Sequence, residues 1–105
     1  MNEIHKSLSI HDEMSEQAVL GSILQDEKCF DVVKDFIPEK DVFYQEKNQK
    51  VWNTICKLKQ ERIPVDIVNI SSKLSGMTYY ITGLAEKVPT TANVESYARQ
   101  LNGDW

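Results

Sequence analysis

The chain has 105 residues, 41% of them hydrophobic and 27% charged, enough apolar material for one core and too short for two domains. Its net charge of −4 argues against a stand-alone nucleic-acid binder, whose affinity rests on basic groups facing phosphates. No stretch approaches the roughly 18 apolar residues of a membrane span, and the first ten lack the apolar run of a secretory signal, so a cytoplasmic protein is expected.

Residues 1–9 are polar and are expected to form a flexible segment ahead of one domain over residues 10–105. The spacing predicts a first helix over 12–25, with Asp12 as N-cap, Glu13 and Glu16 in the positive first turn, and Ala18, Val19, Leu20, Ile23 and Leu24 on one apolar face. Gly21 falls inside this helix, where glycine costs about 1 kcal/mol relative to alanine. A close approach by another helix is the expected reason.

A second helix is predicted over 26–37, burying Cys29, Phe30, Val33, Phe36 and Ile37 and stopped by Pro38. The turn at Asp41-Val42-Phe43-Tyr44 follows, with Phe43 plugging the core. A third helix over 45–61 turns Val51, Trp52, Ile55 and Leu58 inward and Lys47, Lys50, Thr54 and Lys57 outward. Pro64-Val65-Asp66 leads into a fourth helix over 67–74, capped by Asp66 and ended by Gly76 in the C′ manner. A fifth over 78–87 carries Tyr80, Ile81, Leu84 and Ala85, and Pro89 stops it. Thr90 or Thr91 caps a sixth over 92–101, with Val94, Tyr97, Ala98 and Leu101 apolar. The reading is an all-α fold, a compact bundle of about six short helices. Its predicted core includes Leu20, Phe30, Val33, Phe43, Trp52, Ile55, Leu84 and Tyr97.

The charge is uneven. Residues 1–46 hold eleven acids and four lysines, and residues 47–105 hold five acids and eight bases. Solvated helix faces of opposite sign, or complementarity with a partner, both account for this.

No catalytic constellation is visible. His5 and His11 lie in the polar amino-terminal stretch, and the acids fall on faces expected to be solvated. None of Gly21, Gly76, Gly83 and Gly103 precedes a Lys-Ser or Lys-Thr, so the phosphate-cradling P-loop is missing and ATP hydrolysis by that route is not expected of this chain. Cys29 and Cys56 lack metal-ligand spacing and read as buried hydrophobes in a reducing compartment, so neither a metal nor another cofactor is expected. Aromatics and bases interleave at Lys50-Val51-Trp52 and Tyr97-Ala98-Arg99, but a core face flanked by solvated bases gives the same pattern.

Five pieces occur in the order known from one family. They are Glu16-Gln17-Ala18-Val19-Leu20-Gly21, Asp26-Glu27-Lys28-Cys29-Phe30, Asp41-Val42-Phe43-Tyr44, Pro64-Val65-Asp66, and Pro89-Thr90-Thr91-Ala92-Asn93-Val94-Glu95-Ser96-Tyr97-Ala98. The similarity covers about residues 9–101, and the chain resembles the N-terminal domain of DnaB-like replicative DNA helicases. It departs from the family pattern by one residue inserted in the Asp-Phe-Tyr turn and by a link shortened to Ser75-Gly76-Met77.

The resemblance implies a collar domain that assembles a hexameric ring with other helicase subunits and contacts primase and the helicase loader. It implies that ATP, Mg and DNA engage the full-length ring, whose helical hairpin and ATPase domain lie outside these 105 residues. The head alone is then expected to be monomeric or weakly associating. Lys47, Lys50 and Lys57 are the candidate interface residues. A free-standing regulator of the same fold, binding a helicase, primase or loader, fits the same residues. An unrelated DNA-binding helical domain would need a basic recognition helix, and residues 45–61 have mixed charge.

Overall fold

The computed structural model describes residues 10–37 and 43–101, with side chains in the first helix described from residue 13. The flexible segment expected over 1–9, Pro38, the start of the turn at Asp41-Val42, and Asn102-Gly103 lie outside the described residues. Among the described residues six helices follow in chain order: α1 (Ile10–Gln25), α2 (Cys29–Phe36), α3 (Glu46–Glu61), α4 (Ile67–Lys73), α5 (Thr78–Glu86) and α6 (Val94–Leu101). Among the described residues there is no strand, and no helix is long and apolar enough to cross a membrane.

α1 is the central element, packing against α6, α5, α3 and α2, while α4 bridges α3 and α5. Its buried stripe, Val19, Leu20 and Ile23, recurs at helical spacing, as does Val51, Trp52, Ile55 and Leu58 on α3. Trp52 sits at the centre of an aromatic cluster. Its ring lies 5.6 Å from that of Phe30, stacked, and 5.6 Å from that of Phe43, tilted. Phe43 thereby fixes the entry to α3. Leu20, Val33, Ile55 and Leu84 are fully buried around this cluster.

Gly21 is explained by packing. A Cβ there would overlap the carbonyl oxygen of Leu84 and lie 2.8 Å from Val88 Cγ2, so α1 and the end of α5 meet backbone to backbone. Gln25, one turn on, donates from Nε2 to the carbonyls of Ala85 (2.6 Å) and Val88. It satisfies acceptors that the end of a helix leaves open.

The ends of the helices follow local chemistry, in places differently from the spacing. Asp66 is extended (φ −149°) and accepts from Asn69 N at 2.8 Å, capping α4. Asp12 does not occupy the cap position of α1, because the helix already begins at Ile10. α2 starts at Cys29 rather than Asp26. Asp26 Oδ1 instead accepts from Lys28 N at 3.0 Å, a local turn that competes with the helix. Thr90 Oγ1 accepts from Ala92 N at 3.2 Å, closing a turn ahead of α6, which begins only at Val94. Neither Thr90 nor Thr91 is therefore next to the first helical residue.

Arg62, with φ 62°, provides the left-handed cap of α3, and Ile63 N reaches back to Leu58 O at 2.9 Å. Gly76 has φ 81° in the tight turn joining α4 to α5, two residues beyond the α4 cap at Leu74. The C′ position expected of it falls to Ser75. The link holds because Met77 N donates to Leu74 O.

Candidate protein-interaction site

Three helices meet at a buried polar cluster that the spacing argument did not connect. Glu16, like the other acids, was expected on a solvated face, but it is only 1% exposed. It lies one turn before Val19 and Leu20 on the same stripe of α1, so the packing of that stripe carries it inside. Its carboxylate reaches the amino end of α3. It accepts from Tyr44 N at 2.6 Å, Asn48 Nδ2 at 2.7 Å and Gln45 N at 3.4 Å. Glu16 thus serves, from another helix, as a cap for α3, placing negative charge at a positive helix end.

Asn48, completely buried, relays the contact. Its Oδ1 accepts from the hydroxyl of Tyr80 on α5. With an acceptor on one side and a donor on the other, the amide has one satisfied orientation. Burial raises the carboxyl pKa of Glu16 above its ordinary value. The bonds from Asn48, Tyr44 and Gln45 oppose that rise, and the charge of Glu13 adds to it. Burial likewise pushes the Tyr80 phenol up to about 12. Hydrogen bonds with Gln17 and Asn48 oppose the rise, and the charges of Glu16 and Glu13 add to it.

One base, Lys47, stands over this cluster at the surface. Lys47 lies with Nζ 4.4 Å from the centre of the Tyr80 ring, a cation–π contact at the surface. Lys50 and Lys57 are exposed farther along α3. Thr54, expected on that outer face, is buried instead, its hydroxyl donating to Lys50 O at 2.9 Å. It stands three residues after Val51 and four before Leu58, in register with the core. The lysines therefore flank a core edge and do not line an open polar stripe.

On another side, Met14, Ala18, Val88, Pro89 and Tyr97 line a largely apolar groove of 400 Å³ between α1 and α6. Tyr97, expected in the core, is half-buried at this rim and packs against the core from outside. Of the cysteines, Cys29 is buried and Cys56 only half-buried. Burial raises both thiol pKa values, which favours the thiol over the thiolate. Among the described residues no three His, Cys, Asp or Glu side chains cluster as metal ligands.

The spacing argument missed Glu16, Asn48 and Tyr80 as a connected set. The signal was present: Glu16 and Asn48 are polar residues standing at apolar register positions of their helices.

A model of the DnaB-like helicase N-terminal domain matches residues 9–103, nearly the whole chain. The chain belongs to that family. Replicative DNA helicase DnaC of Bacillus subtilis (strain 168) is 34% identical over 93 residues, covering 81% of this chain and 20% of that protein. Replicative DNA helicase DnaB of Geobacillus stearothermophilus is 33% identical over 93 residues, again covering 81% and 20%. The chain thus spans about a fifth of the length of the curated relatives it matches. The crystal structure of the N-terminal domain of DnaB helicase from Mycobacterium tuberculosis superposes with a TM-score of 0.80 at 28% identity, covering 86% of this chain and 67% of that one. The all-α fold and the family resemblance drawn from the five motifs agree with these matches. Glu16 and Gly21 both fall within the first of those motifs, one capping α3 and the other seating α1 on α5.

Proposed function

We propose that this DnaB-family domain is a protein-docking head that takes part in assembling a replicative helicase ring and offers its surface to primase and the helicase loader. The observation that carries the reading is the family match over residues 9–103. The architecture supports it. The Glu16–Asn48–Tyr80 cluster links α1, α3 and α5 through buried hydrogen bonds. The flanking lysines, Lys47, Lys50 and Lys57, give the domain a positive edge on an otherwise acidic chain. Such an edge speeds and orients encounter with an acidic partner surface. ATP turnover and contact with DNA are assigned to the full-length ring, acting in the cytoplasm.

The test is co-precipitation of the chain with its cognate primase and loader, repeated with Lys47, Lys50 and Lys57 each changed to Glu. The reading expects retention of at least one partner and a salt-sensitive loss in the charge-reversed variants, with helicity by circular dichroism unchanged. Equal retention of wild type and all three variants contradicts the assignment of this face.

A further inference from the structure

We draw no further inference here: the strongest candidate, the largely apolar groove that Met14, Ala18, Val88, Pro89 and Tyr97 line between α1 and α6, is an unpartnered face, and nothing in the structure shows what covers it.

Discussion

The contact at Gly21 allows a quantitative test of how α1 seats on α5. In Gly21→Ala, the helix itself gains about 1 kcal/mol from the better helix former. Against this, the new methyl overlaps the Leu84 carbonyl oxygen and sits 2.8 Å from Val88 Cγ2 and 3.1 Å from the Leu84 carbonyl carbon. Overpacking costs typically about 1–3 kcal/mol. Here the neighbour is backbone, which cannot swing aside as a side chain would, so the upper end applies. Moving α5 also pulls the Ala85 and Val88 carbonyls away from Gln25. The net expectation is a loss of about 2 kcal/mol, a fall in melting temperature of the order of 10 °C for a domain of this size. Gly83→Ala is the control: it gains the same helix propensity with nothing within 4 Å, and should raise stability by about 0.5–1 kcal/mol. Urea and thermal unfolding followed by circular dichroism measure both. A Gly21→Ala variant as stable as wild type, or more so, refutes the backbone-contact argument.

Removing the carboxylate in Glu16→Ala strands Asn48 and Tyr44 N, and should cost about 2–4 kcal/mol in urea unfolding. Because burial raises the Glu16 pKa in the fold, proton uptake favours the folded state. That contribution is present in full at low pH and is lost as pH rises through the folded value. The stability of wild type relative to Glu16→Gln should therefore fall with rising pH above the ordinary carboxylate range, read as melting temperature against pH. Tyr80 is raised to about 12, so its share of stability is intact below its usual value near 10 and disappears as the pH climbs toward 12. Tyr80→Phe should remove that alkaline step. Asp66→Ala should cost about 1 kcal/mol by loss of the α4 cap, with the circular dichroism loss confined to one short helix.

Much of this fold was legible from periodicity alone. The stripes Val19-Leu20-Ile23 and Val51-Trp52-Ile55-Leu58 repeat at helical spacing, and they are the residues the structure buries. Asp66 announced α4 because an acid ahead of a β-branched run has an amide to accept from. Gly21 announced a close approach because nothing else repays a glycine in that position.

The polar cluster was not read, and the reason is specific. Residue type outvoted register at Glu16 and Thr54, which occupy core positions but were assigned to solvent because they are polar; Asn48, equally in core register, was given no place. What makes burial of Glu16 tolerable is a set of donors 28 to 32 residues away, and such long-range partners leave no local trace. The start of α6 was misplaced for a related reason. A threonine hydroxyl can close a turn as well as cap a helix, and only the backbone at Ala92–Val94 decides between them.

The docking role is tested most directly by isothermal titration of the folded 105-residue chain with its cognate primase and, separately, its cognate loader. Saturable heat with at least one of them, weakening as salt is raised and weakening further in Lys47→Glu, is the outcome expected of a head that works through its surface. Absence of heat with both partners, from protein whose helices melt cooperatively, contradicts it.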